Sequence, residues 1–355
     1  MKTRAAVLTG PDGPAGLVLQ ERDVPQIGRR DVRIAVEAAG VMFAEVQMAL
    51  GRYPGQPRYP FVPGYDLVGT VTDAGAASGL RPGQRVAAMT RTGAWAEHVV
   101  LPAAGLVAVP DELDSADAVA LVTNGVTAHQ LVHRSAVVRP GETVLVLGAS
   151  GGVGTLLTQL SVAAGARVLG AASPAKHDRV RTLGGEPIDY HGDDLPARIR
   201  ALAPDGVDVV FDPIGGAGLG DSWALLRPGG RLVWYGSQST LNNTGFRFAP
   251  ALTALRKIAG WNLRSLIRRD GRRGSLYYIR TGTPAFRADL ATVFAEAAAG
   301  RLDSAVSARY PLERAKEALV ALAEGRITGK AVLLPAAGSG AGGALGAGAE
   351  DLQGV

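Results

Sequence analysis

The sequence predicts an α/β protein of two domains, a small β-barrel joined to a doubly wound parallel sheet. Three observations carry this reading. Residues 4–110 hold short alternating or apolar runs broken by Gly and Pro, the pattern of a small barrel or sandwich. Beyond residue 114, apolar strand-length runs alternate with helix-length segments, which implies parallel strands with right-handed crossovers. The length of 355 residues suits two domains at roughly 150 residues each.

The elements follow in order. Asp31-Val32-Arg33-Ile34-Ala35-Val36-Glu37 alternates polar and apolar residues, the period of a half-buried strand. Further strands are expected at 67–71, 85–89, 96–101 and 106–109, separated by Pro63-Gly64, Gly79, Pro82-Gly83 and Pro102. Residues 115–135 read as a helix. Strands then fall at 143–147, 167–171, 207–211 and 231–235, with helices near 153–164, 174–183, 193–203 and 217–226. Residues 285–299 and 312–323 read as helices, and 330–334 as a closing strand. Residues 336–349, beyond Pro335, are almost wholly Gly and Ala. Such a segment buries too little surface to offset its ordering entropy, so 336–355 is expected to be a disordered tail without a catalytic role.

Composition excludes several functions. The chain has no Cys, which removes disulfides, thiolate metal sites and Cys nucleophiles. No apolar run approaches the ~18 residues of a membrane span. Only Ala5-Ala6-Val7-Leu8 is apolar before Gly10, short of the ~7–15 residues of a signal-peptide core. A cytoplasmic protein is the expectation. The net charge of +5 is uneven: Arg247 to Arg287 carries ten basic residues against Asp270 alone, a local +9 that leaves −4 elsewhere. Any attraction for anions is therefore local.

The most specific motif is Val144-Leu145-Val146-Leu147-Gly148-Ala149-Ser150-Gly151-Gly152-Val153-Gly154. It ends an expected strand and opens an expected helix, the context of a Rossmann dinucleotide fingerprint. Read as Ala149-x-Gly151-x-x-Gly154, it puts Ala149 in place of the first glycine. Gly151 admits the pyrophosphate and Gly154 lets the helix pack on the strand. The helix N-terminus adds free N–H groups. An NAD site places Asp or Glu about 20 residues on, yet the next strand ends Leu169-Gly170-Ala171-Ala172-Ser173 with Lys176 following. Ser173 and Lys176 suit a 2′-phosphate, a charged hydrogen bond of about 1.5–3 kcal/mol. The cofactor expected is NADPH.

Taken in order, these markers make the sequence resemble the medium-chain dehydrogenase/reductases over residues 1–335, most closely the zinc-free quinone oxidoreductases of zeta-crystallin and vesicle amine transport protein type. The markers are Ala39-Gly40-Val41-Met42-Phe43-Ala44-Glu45, Gly51-Arg52-Tyr53-Pro54, Pro63-Gly64-Tyr65-Asp66, Gly93-Ala94-Trp95, Asn124-Gly125-Val126-Thr127-Ala128, the loop at 148–154, Asp212-Pro213-Ile214-Gly215-Gly216 and Gly329-Lys330-Ala331-Val332. The resemblance implies a GroES-like catalytic domain at 1–121 and 276–335, a Rossmann NADPH-binding domain at 122–275, and an active site in the cleft between them. By matching position, Ser150, Gly151, Gly152, Val153 and Gly154 would hold the pyrophosphate. Tyr190 would lie near the adenosine phosphate. Gly215, Gly216, Tyr235, Gly236 and Ser237 would line the nicotinamide side, and Lys330 would either reach a phosphate or be a surface charge on the closing strand.

The resemblance also implies a mechanism. Met42, Tyr65 and Thr123 stand where zinc-dependent relatives carry ligands, and none is a good one, so no metal is expected. His129 and His133 are read as helix-surface residues. Met42 and Glu45 depart from the Asn and Asp usual in zinc-free relatives. The expected reaction is hydride transfer to a quinone or an enone, with Tyr53 as the candidate proton donor. Asp66 and Asp212 are read as loop caps. A homodimer is expected, paired through a strand at 257–263. The alternative reading is a nucleotide-binding, membrane- or lipid-associated protein with little catalysis. It rests on residues 251–269, where Leu252, Leu255, Ala259, Leu263 and Leu266 would share a helix stripe flanked by cations. Gly260 and the matching family strand weigh against membrane association, and nucleic acid is the least favoured partner.

Overall fold

The computed structural model describes residues 1–192, 194–236, 238 and 249–335; Ser237 and the tail at 336–355 lie outside the described residues. The chain opens with β1 (Lys2–Leu8) and β2 (Leu17–Asp23), an antiparallel pair. Next come β3 (Asp31–Val41), the short helix α1 (Phe43–Ala49), β4 (Asp66–Ala74), β5 (Arg85–Met89), β6 (His98–Pro102) and β7 (Val107–Ala108). β3 is the spine of this half. It pairs antiparallel with both β4 and β6, and its residues alternate inward and outward along 32–38 as the sequence pattern requires.

Helix α2 (Ser115–Gln130) joins the two halves and runs on through one wider π-type turn at Leu131–Ser135. Every residue from Ala118 to Ala128 is buried, because α2 packs against the first sheet on one side and other helices on the other. A helix apolar on all sides can be accommodated only in such an interior position.

The second half alternates as expected: β8 (Thr143–Leu147), α3 (Gly152–Ala163), β9 (Arg167–Ala172), α4 (His177–Thr182), β10 (Glu186–Asp189), α5 (Leu195–Leu202), β11 (Val207–Asp212), α6 (Leu219–Ala224), β12 (Leu226–Trp234), α7 (Ala249–Arg268) and β13 (Arg273–Leu276). These six strands form one parallel sheet in the order β10-β9-β8-β11-β12-β13. Strand order reverses between β8 and β11, the switch point where open α/β sheets bind ligands beyond their strand ends. Both faces are covered. Val144 and Val146 enter the large core shared with the first sheet, whereas Leu145 and Leu147 enter a separate core with Leu169, Val210 and Trp234. Finally α8 (Pro284–Ala298), β14 (Val306–Pro311), α9 (Ala315–Ala323) and β15 (Lys330–Leu334) return to the first sheet, where β15 pairs with β3.

Two expectations are corrected. Residues 257–263 are not a strand but lie inside α7. Ala254, Ile258 and Ser265 are buried at helical spacing, Trp261 stacks on Trp223 with ring centroids 5.3 Å apart, and Asn262 hydrogen-bonds both ways with the Gly274 backbone. The edge strand beside β12 is β13. Second, β12 begins at Leu226, five residues earlier than expected. The register shift opposite Val207 and Val209 absorbs the Pro228-Gly229 pair, as a bulge absorbs extra residues.

Candidate active site between the two sheets

The phosphate loop follows from the order β8, turn, α3. Gly148 has φ +68°, and a β-carbon on Gly154 would lie 2.0 Å from the Gly148 carbonyl oxygen. Only glycine fits at both positions. The tight-turn glycine is thus Gly148, one residue before the Ala149 position read from the motif. Gly151 precedes α3, and neither a capping side chain nor an acidic residue occupies that helix start. No side chain therefore competes for the first-turn amides of α3, and the first turn of a helix requires some partner. The loop is also fastened from outside. Gly329 N–H donates to the Ser150 carbonyl at 2.8 Å, and a β-carbon on Gly152 would lie 2.4 Å from Asn124 Nδ2 on α2. This cradle fits a pyrophosphate.

The other expected cofactor residues lie along the same sheet edge. Ser173 and Lys176 follow β9, Tyr190 follows β10, Gly215 and Gly216 follow β11, and Tyr235 and Gly236 follow β12. Lys176 already donates to the carbonyls of Gly325 and Ile327, both at 2.8 Å. An ammonium has three donors, so one remains for a phosphate. Partial burial lowers its pKa. Tyr190 is 48% exposed and stacks on His191. Tyr235 is pushed above the ordinary phenol range by burial, with Asp212 adding to it. Asp212 does cap its loop: Oδ1 accepts from the amides of Ile214 and Gly215, and Oδ2 accepts from Ser222.

Lys330 is placed differently from the phosphate contact expected. Only 2% of its side chain is exposed, and Nζ lies 3.9 Å from Asp66 Oδ2 without a hydrogen-bond partner. It points into the first sheet, where Asp66 accepts from the amides of Gly40 and Thr123. Glu45 is fully buried nearby. Its Oε2 accepts from Met42 N–H at 2.9 Å, its Oε1 has no partner, and burial pushes its pKa up to about 8, against the pull of Lys330. Glu45, Asp66 and Lys330 thus form one buried polar cluster.

Tyr53 forms part of a polar cluster that the sequence did not reveal. Its hydroxyl is 2.8 Å from that of Tyr65, with the rings edge to face. The amides of Thr90 and Arg91 both donate to the Tyr65 carbonyl, at 2.8 and 3.0 Å. This turn holds Arg91 at φ +69°, a conformation uncommon for a residue with a side chain. The Arg91 guanidinium interacts with the Tyr65 phenol and hydrogen-bonds the Tyr278 hydroxyl. Tyr278 follows β13, and the amide of its neighbour Tyr277 donates to the Trp234 carbonyl. The cluster therefore spans from the first sheet to the strand-end edge of the second. Burial raises the pKa of both Tyr53 and Tyr65, and Arg91 opposes the rise in each.

His129 is not a surface residue. Its side chain is 16% exposed and lies 3.7 Å from the buried Asp289 carboxylate, which Arg134 and Gln130 also contact. Among the described residues no group of three or more His, Cys, Asp or Glu could hold a metal ion, and no helix is long and apolar enough to cross a membrane.

Comparison with known proteins agrees with this architecture. Residues 28–111 match the alcohol dehydrogenase GroES-like domain and residues 183–333 the zinc-binding dehydrogenase domain. The human synaptic vesicle membrane protein VAT-1 homolog is 30% identical over 352 residues, covering 94% of this chain and 86% of that protein. The rat VAT-1 homolog is 36% identical over 243 residues, and the chain spans only 60% of its length. Among solved structures, a Pseudomonas syringae quinone oxidoreductase superposes with a TM-score of 0.81 at 28% identity, covering 94% of this chain and 100% of that one. A mycobacterial protein solved in complex with NADPH superposes with a TM-score of 0.80 at 30% identity and the same coverage. With both domains matched, the human relative covered over 86% of its length and both solved structures over their full length, the chain belongs to the medium-chain dehydrogenase/reductases, in their quinone oxidoreductase and VAT-1-like branch.

Proposed function

We propose that the chain is a zinc-independent, NADPH-dependent oxidoreductase that reduces a quinone or an α,β-unsaturated carbonyl between its two sheets, with the domains divided at 1–121 plus 276–335 and 122–275. The observation that carries this is the Arg91–Tyr278 hydrogen bond, which sets the phenol pair of the first sheet against the strand-end edge that bears the phosphate loop.

In this reading the amides of Gly152, Val153 and Gly154 hold the pyrophosphate, and Ser173 with the third donor of Lys176 selects the 2′-phosphate. NADPH, when bound, supplies the hydride. The chain supplies position and charge stabilisation. Tyr53 is the one reactive phenol of the pair that is only partly buried, whereas Tyr65 is 3% exposed. Tyr53 is therefore the group placed to donate a hydrogen bond or a proton to the acceptor. A conjugated acceptor delocalises the incoming charge onto its own oxygen, so one such donor suffices where an alcohol substrate would need a Lewis acid. The quinone oxidoreductase relatives support this class of acceptor, as does a solved 2-haloacrylate reductase at 28% identity. The direct test is NADPH oxidation with a panel of quinones, enones, enals and enoyl thioesters. Tight NADPH binding without turnover of any of them would overturn the reading.

A second reading has one observation behind it. The outward face of α7 exposes Leu252, Leu263, Leu266 and Ile267, at 47%, 59%, 76% and 73%, beside Arg256, Lys257 and Arg264, which line a groove of roughly 390 Å³. That is the pattern of a helix lying on an anionic lipid surface. Co-sedimentation with phosphatidylserine vesicles that high salt abolishes would favour it, and absence of binding at low salt would remove it.

A further inference from the structure

We propose that Tyr65 and Arg91 form a proton relay behind Tyr53, so that the charge left by proton donation comes to rest on Tyr65 beside the Arg91 guanidinium rather than on Tyr53. The inference rests on the oxidoreductase reading above and deepens it.

The difficulty it resolves is physical. Tyr53 is a weak acid made weaker by burial, and Tyr65 beside it disfavours its anion further. Alone it would be a poor donor at neutral pH, since general acids work best with a pKa near the working pH. The geometry supplies a remedy. Tyr53 Oη and Tyr65 Oη are 2.8 Å apart, and either can be the donor. Tyr65 has two groups available to stabilise its anion, the Tyr53 hydroxyl and the Arg91 guanidinium, whereas Tyr53 has only the Tyr65 hydroxyl close by and Arg91 at longer range.

The cluster is also built to stay in register. The Thr90 and Arg91 amides are clamped onto the Tyr65 carbonyl, and Thr90 Oγ1 donates to the Gly64 carbonyl at 2.9 Å. The clamp accompanies a left-handed backbone at Arg91, and strain of this kind persists where the surroundings over-determine it. On the far side, the Tyr278 ring is 53% exposed and its hydroxyl accepts from Arg91, which leads the cluster out to water.

The proton balance is complete. Hydride adds to the β-carbon of the acceptor, and the C=C π electrons move onto the carbonyl to give an enolate. Tyr53 Oη–H protonates the α-carbon. The Tyr65 proton passes to Tyr53 Oη, and the Tyr65 phenolate is held by Arg91. Water then reprotonates Tyr65 by way of the Tyr278 side, so one solvent proton is consumed per NADPH oxidised. Tyr65 and Arg91 act through Tyr53 and are positioning residues in this scheme.

The test uses the full chain and the variants Tyr65→Phe, Arg91→Met and Arg91→Lys. Phe keeps the buried ring of Tyr65, and NADPH affinity by fluorescence serves as the folding control. With an enone, Tyr65→Phe and Arg91→Met should lower kcat by about ten- to a thousandfold with KM and NADPH affinity within about twofold, and Arg91→Lys should restore part of the loss. Wild type should show a curved proton inventory in mixed H2O and D2O, as two moving protons require, and Tyr65→Phe a linear one. An independent readout needs no turnover. In the cofactor-free protein, the tyrosinate absorbance titration of each Arg91 background minus its Tyr65→Phe partner isolates Tyr65 from the other tyrosines, and Arg91→Met should move that ionisation to higher pH. Unchanged kcat in Tyr65→Phe, a linear wild-type inventory, or an ionisation indifferent to Arg91 would each overturn the relay while leaving the oxidoreductase reading intact. Wild type inactive with every conjugated acceptor would overturn that reading and the relay with it.

Discussion

Replacing Glu45 by glutamine isolates a buried carboxyl that the proposed chemistry does not use. The folded chain raises its pKa from 4.5 to about 8, chiefly by burial. A carboxyl shifted upward binds its proton more tightly in the folded state than in the unfolded one. The resulting stabilisation is complete below pH 4.5 and is lost as pH rises through about 8. At ~1.4 kcal/mol per pKa unit, the folded chain should lose on the order of 3 kcal/mol between about pH 5 and about pH 8 from this group alone. Glutamine keeps the volume and the carbonyl that accepts from Met42 N–H, and it cannot ionise beside Asp66. Urea denaturation of wild type and Glu45→Gln at several pH values in that window is the assay, with the difference between the two curves cancelling contributions from other groups. Wild type should lose stability relative to the variant as pH rises. Parallel curves would refute the reasoning, and with it burial as the cause of the raised Glu45 pKa.

Lys176→Glu should weaken NADPH binding by roughly ten- to a hundredfold while changing NADH binding far less; equal losses would mean that Lys176 serves only to hold the Gly325 and Ile327 carbonyls. Exhaustive chelation should leave turnover intact, and stoichiometric zinc lost together with activity would refute metal independence. For assembly, β13 is an edge strand of the parallel sheet among the described residues, which a two-fold copy of itself would cover; light scattering should report a dimer, and monomer alone at micromolar concentration would remove this expectation.

What the sequence made legible was local. β5, β8 and β15 end where hydropathy placed them, because a short apolar run between turn residues carries its own boundaries. The phosphate loop was legible because glycine spacing within a few residues encodes a close approach, although the positive φ belongs to Gly148 rather than to the next position. The phenol cluster was not legible, because it joins residues 53, 65, 91 and 278 through long-range side-chain and backbone contacts that no local pattern records. Lys330 was misplaced for a related reason: its strand sits beside the phosphate loop, since Gly329 bonds Ser150, but strand alternation turns its side chain into the barrel.

The segment at 251–269 shows how two correct observations can be combined wrongly. Its leucine and arginine spacing already described a helix, and the family likeness suggested a strand at the sheet edge. The chain contains both: α7 carries the 257–263 residues, and β13 immediately follows as the edge. What the periodicity could not supply was which stripe faces inward. The buried stripe is Ala254, Ile258 and Ser265, whose small and medium side chains let the helix approach the sheet closely enough for Asn262 to bond Gly274. The bulkier leucines, which any hydrophobic ranking would have put inside, are the ones left outside. An apolar stripe of that kind on a single-chain surface needs a partner or a membrane to account for it, and vesicle sedimentation at low and high salt asks whether a lipid surface covers this helix.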